Sequence, residues 1–102
     1  MNPPRLVRIV RLSLHPDRLE AFLQLFDEAS QQIRAVDGCE YLELLQDASF
    51  PNIVSTYSHW RDESALDVYR ASELFRTTWS KTKSFFIAPP EAFSYHTVRT
   101  LP

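Results

Sequence analysis

A ferredoxin-like α+β fold, a four-stranded antiparallel sheet with helices on one face, is predicted by three observations. Apolar residues recur with periods of two and of three to four, alternating in the order strand, helix, strand, strand, helices, strand. The chain has 102 residues, enough for one domain that removes roughly 65% of its unfolded surface from water and too few for two independent cores. Its apolar residues make up 44% and its charged residues 24%, the balance of a folded domain and not of a disordered or fibrous chain.

The first strand is expected over residues 5–14, RLVRIVRLSL, where Val, Ile and Leu dominate. His15-Pro16 stops it, since proline cannot donate to a ladder. Asp17 and Glu20 then have the spacing of a variant capping box, one carboxylate accepting backbone N–H groups and the other reaching back. Leu19, Phe22, Leu23, Phe26, Ala29, Ile33 and Val36 follow at steps of three and four and predict a helix with one apolar stripe. Gly38, the only glycine, is expected just after the last turn, where a left-handed residue is commonly needed. Residues 39–46 and 53–60, separated by the turn-forming DASFPN, predict an antiparallel hairpin. Asp62 opens a second helical segment through Ala65, Leu66 and Tyr69. Ser72 caps a third, with Phe75, Thr78, Trp79, Thr82, Phe85 and Phe86 on one face and Pro89-Pro90 ending it. Residues 92–99, AFSYHTVR, complete the sheet.

Both faces of this sheet are apolar. Leu6, Val10, Leu12 and Leu14 alternate with Val7 and Ile9 in the first strand, and Leu42 and Leu44 with Tyr41 and Leu45 in the second. The helices can cover one face only, whereas a sheet open to water normally shows it a polar side. A second copy of the chain, packed sheet on sheet, is the expected cover, so a homodimer is predicted.

Several function classes are disfavoured by residues the chain does not have. One glycine cannot build a dinucleotide fingerprint, a P-loop or a GxSxG elbow. His15, His59 and His96 are more than thirty residues apart, without the spacing of a metal site. Cys39 stands alone, which excludes an internal disulfide and fits a reducing cytoplasm; beside the glycine it reads as a small buried hydrophobe. Net charge is −2, and Arg5, Arg8 and Arg11 fall on both faces of a strand, so they read as solvated or ion-paired and nucleic acid is not expected. The opening MNPPRLVRIV lacks the apolar run of a signal peptide, no apolar stretch is long enough to cross a bilayer, and the expected location is cytoplasmic.

Trp60 at a strand end, Asp62 and Glu63, Ala65 and Leu66, Tyr69, and Ser72 leading to Phe75 form a pattern that resembles the antibiotic biosynthesis monooxygenase family, as do DGCEYLEL and the element order. The resemblance implies a dimeric α+β barrel, in which the outer sheet faces meet and each subunit keeps a pocket between helices and sheet. It also implies, for some members, oxygenation of quinols or polycyclic phenols by molecular oxygen without metal or flavin. Many members have a histidine where this chain has Tyr69. The haem-degrading branch uses an asparagine, a tryptophan and a histidine where this chain carries Val10, Tyr69 and Trp79, so haem chemistry is not expected.

The expected activity is a cofactor-free monooxygenation of a quinol-like or polycyclic phenol, with a non-catalytic dimeric binding module of the same fold as the alternative. Such oxygenation needs a base, a dry pocket and a fixed orientation. His59 and His96 are the candidate bases, because an imidazole titrates near neutral pH, and Tyr69 offers a hydroxyl. Trp60, Phe75, Trp79, Phe22, Phe26 and Phe86 are candidate walls for a small aromatic ligand, though aromatics at helical spacing also serve as ordinary core. Simple alternation puts His59 and Trp60 on opposite faces of their strand, so they share a pocket only if the strand ends or bulges there.

Overall fold

The structure, a computed structural model, describes residues 5–102. Strand β1 (Leu6–Ser13) leads through a 3₁₀ turn (Pro16–Arg18) into helix α1 (Leu19–Arg34). Strands β2 (Cys39–Gln46) and β3 (Ile53–Trp60) form the hairpin, helices α2 (Glu63–Arg70) and α3 (Glu73–Lys83) follow, and β4 (Glu91–His96) ends the order. All pairings are antiparallel and the strand order is β2-β3-β1-β4. This is the four-stranded α+β fold expected from the periodicities.

The helix starts show which caps act. Asp62 accepts from the Ala65 backbone N–H at 2.8 Å, and the Ser72 hydroxyl accepts from that of Phe75 at 3.2 Å. The expected Asp17/Glu20 box does not form. Pro16 initiates a tight 3₁₀ turn, the Arg18 N–H bonds to the His15 carbonyl, and α1 begins at Leu19 without a side-chain cap. At its other end α1 stops at Arg34, four residues before Gly38. That glycine is instead the third residue of a turn closed by Cys39 N–H on the Val36 carbonyl, 2.9 Å, with φ at +88°.

Two further boundaries differ from expectation. Helix α3 ends before Phe85 and Phe86, because this stretch pairs with the end of β1: His15 N–H donates to the Phe85 carbonyl and Ile87 N–H to that of Ser13. Pro89-Pro90 therefore lies in the connection and does not end the helix. Strand β4 stops at His96, which pairs with Leu6, the first residue of β1; Thr97, Val98 and Arg99 pair with no strand.

Register fixes the faces. Leu6, Arg8, Val10 and Leu12 of β1 lie beside Trp60, Ser58, Thr56 and Val54 of β3 on the helix side. Buried side chains there form two clusters, Leu6, Cys39, Trp60, Ala65 and Leu66 at one end and Leu12, Leu14, Phe22 and Val54 at the other. In the middle of that face Arg8, Thr56 and Ser58 separate the two clusters, with half-buried Val10 packed against the second. The outer face carries Val7, Ile9, Tyr41, Leu45, Tyr57, His59, Phe93 and Tyr95, with Tyr41 40%, Leu45 43%, Phe93 46% and Tyr95 51% exposed. Among the described residues no helix is long and apolar enough to cross a membrane.

Candidate functional site

Between the two clusters, under the helices, lies a cavity of about 380 Å³. Its walls come from α1, through Phe22 and Phe26, and from α2 and α3, through Tyr69, Phe75 and Trp79. Its floor is the mid-sheet row of Arg8, Val10, Thr56 and Ser58, three of which bring polar side chains to it.

The aromatic wall is a continuous chain of ring contacts. Trp60 and Tyr69 stack with centroids 5.1 Å apart, Tyr69 meets Phe75 edge-on at 5.3 Å, and Phe75 stacks on Trp79 at 5.7 Å. Such offset and edge-on pairs each add about 0.5–1.5 kcal/mol beyond area burial. Trp60 is anchored further by its indole N–H, which donates to the Ser58 hydroxyl at 3.0 Å. The spacing of Tyr69, Phe75 and Trp79, split over two helices by the Ser72 cap, turns the three rings toward one space and fixes them there.

The expected site residues separate into two groups. Trp60, Tyr69, Phe75, Trp79, Phe22 and Phe26 all line the cavity. Phe86 stands outside the lining, edge-on to Trp79 at 5.6 Å. His59 points to the outer face, since β3 runs regularly to Trp60 and pairs His59 with Val7 and Tyr41. There its Nε2 lies 3.0 Å from the Tyr57 hydroxyl. His96 is exposed at the end of β4 and does not reach the cavity lining. Neither histidine is brought together with the aromatic wall.

Titration within the cavity follows from burial. Desolvation pushes the Tyr69 phenol up to about 12, so at neutral pH it keeps its proton and can only donate or accept a hydrogen bond as a neutral group. Burial also holds the Arg8 guanidinium below its ordinary value, with the charge of nearby Arg70 adding to the effect. Cys39 is buried and its thiol is raised by desolvation, the opposite of what a nucleophile needs. On the outer face, burial and then the Arg5 charge pull His59 below the usual imidazole range.

Sequence reasoning missed the two arginines. Arg8 and Arg70 both line the cavity, whereas Arg5 pairs with Glu40 at 3.3 Å and Arg11 lies 3.9 Å from Glu91, outside it. The signal was present in the alternation: Arg8 shares its face with Leu6, Val10 and Leu12.

The model of the antibiotic biosynthesis monooxygenase family matches residues 5–80, which span β1 through most of α3. The chain belongs to this family. Solved structures repeat the antibiotic biosynthesis monooxygenase fold. An antibiotic biosynthesis monooxygenase superposes with a TM-score of 0.86 at 21% identity, covering 92% of this chain and 99% of that one. A Mycobacterium tuberculosis protein gives 0.86 at 21% identity, over 96% and 99%. A conserved Methanosarcina mazei protein gives 0.87 at 18%, over 90% and 91%. At these identities the likeness is one of fold. None of the curated proteins compared with the chain matches it.

Proposed function

We propose that this family member is a monooxygenase that needs no bound cofactor and acts on a quinol-like or polycyclic phenol held in the helix-side cavity. The observation that carries the reading is the unbroken Trp60-Tyr69-Phe75-Trp79 ring wall beside a cavity of about 380 Å³, a volume suited to a flat aromatic molecule. The chemistry resides in the substrate. An ionised phenol conjugated to a ring methylene passes electrons to oxygen; two C–H bonds give way to one C=O, and the other oxygen atom leaves as water. In a quinol one ring C–H becomes C–OH and the diol loses both O–H hydrogens to give a hydroxyquinone, again with one water. The substrate loses four electrons and O₂ gains four, so no external reductant enters. Ring stacking supplies orientation and the apolar walls limit water.

The same reading includes a homodimer joined through the outer sheet faces, supported by the exposed Tyr41, Leu45, Phe93 and Tyr95. One observation favours the alternative of a non-catalytic binding module: Tyr69 and the arginines are the titratable groups of the cavity lining, and none is a base at neutral pH. Oxygen uptake with a panel of hydroquinones and anthrones separates the two. The monooxygenase reading expects uptake above the spontaneous rate with at least one compound, lost in Trp79→Ala; uptake at the spontaneous rate throughout leaves only binding.

A further inference from the structure

Arg8 is an unusual residue for its position. It sits in the centre of the sheet, on the face that packs toward the helices, with neighbours Leu6 and Val10 that are buried and half-buried. Partial burial disfavours the Arg8 charge, and a carboxylate partner would offset that cost. Here no Asp, Glu, His or Lys lines the cavity. The polar contact Arg8 does make is neutral: Nη1 donates to the Ser94 hydroxyl at 2.9 Å. With five N–H donors in a fixed fork, the group retains donors to spare. Arg70, at the last turn of α2, lines the same cavity and forms no ion pair among the described residues. Their mutual repulsion is felt, since the Arg70 charge helps lower Arg8. Two cations thus converge on an aromatic chamber that offers them no anion.

We infer that Arg8 and Arg70 together hold the ionised oxygen of an aromatic ligand, so that the cavity selects phenolates over their neutral ethers. This rests on the reading of the cavity as an aromatic-binding site, and it assigns the residues that hold and select the ionised oxygen there. It also resolves the want of a base. Two guanidinium groups stabilise the anionic form of a bound phenol, which lowers its pKa and lets the proton pass to water at the exposed Arg70 side. The electron-rich phenolate needed for reaction with oxygen then forms by electrostatic stabilisation, without a histidine. Arg8 is the inner, half-buried partner and Arg70 the exposed one, so the contribution of Arg70 should weaken with salt.

The test uses 4-nitrophenol, whose ionised form is seen directly by its visible absorbance, and its methyl ether 4-nitroanisole as the neutral isostere. Calorimetry measures the binding of each, and absorbance titration measures the ionisation of bound 4-nitrophenol, for wild type, Arg8→Gln and Arg70→Gln. In the wild type the ionisation constant of bound nitrophenol should rise at least about tenfold over the free compound. Each variant should lose most of that rise while binding 4-nitroanisole within about threefold of wild type, which also shows that it is folded. Arg70→Gln, at an exposed position, provides the test should Arg8→Gln not fold. Wild type that binds both probes without shifting nitrophenol ionisation overturns the inference and leaves the cavity reading standing, as does a shift that survives in the variants. Wild type that binds neither probe overturns both.

Discussion

The Tyr69 ring lies against the Trp60 indole with centroids 5.1 Å apart and planes inclined by 23°. This pair joins α2 to the end of β3 and forms one corner of the cavity. Tyr69→Phe keeps the stack and removes the hydroxyl, so stability in urea should change by less than about 1 kcal/mol. Tyr69→Ala removes the ring and should cost about 2–4 kcal/mol. If the neutral hydroxyl bonds the ligand, as its pKa of about 12 allows, Tyr69→Phe should lower kcat/KM roughly tenfold, the worth of about one hydrogen bond.

Gly38 tests the turn between α1 and β2. Its φ of +88° suits glycine, and a β-carbon added there would overlap that of Ala65 in the buried cluster. Gly38→Ala therefore combines backbone strain with a clash and should destabilise by at least about 2 kcal/mol, read from the urea midpoint at unchanged m-value.

Much of this architecture is legible in the chain because local signals and tertiary demands coincide. Asp62 and Ser72 act as caps as their sequence context indicates, and the alternation of β1 and β3 correctly puts His59 and Trp60 on opposite faces. Legibility fails where one element borrows from another. Phe85 and Phe86 continue the periodicity of α3, yet the Phe85 carbonyl accepts from His15 N–H and the next residue, Ile87, donates to the Ser13 carbonyl, a partnership about seventy residues away in sequence that helical spacing does not encode. The ring wall is readable from aromatic spacing. The arginine corner is readable only in part: alternation puts Arg8 on the face of Leu6, Val10 and Leu12, but the register of β1 on β3 is needed to show that this face meets the helices and Arg70.

The outer face should make the protein a dimer. Phe93 sits beside Ile9 on that face and is 46% exposed in the single chain. Sedimentation at micromolar concentration should give the mass of two chains, and Phe93→Glu should weaken association at least about 100-fold by placing an unpaired charge in the contact. A monomeric wild type would leave this face without its cover.

Acid should weaken the fold through His59. Its folded-state pKa lies below the ordinary value, so the unfolded chain binds the proton more readily. The contribution of neutral His59 is complete above the unfolded pKa of about 6.5 and is lost as pH falls through that value toward the lower folded one. The groups around it are Arg5, Glu40, Glu43, Tyr41 and Tyr57; the carboxylates oppose the shift but do not cancel it. At fixed protein concentration, urea midpoints should drop between pH 7.5 and 5.5, the pH range about one unit either side of the ordinary imidazole value. His59→Gln should show a shallower drop.

Incubation of an active anthrone or quinol with ¹⁸O₂ tests the proposed oxygenation most directly, by mass analysis of product and water. The proposal expects one labelled oxygen in the product and the other in water, at a rate that falls with Trp79→Ala and with Arg8→Gln. Product carrying no label, or label that appears equally fast without the protein, would contradict it.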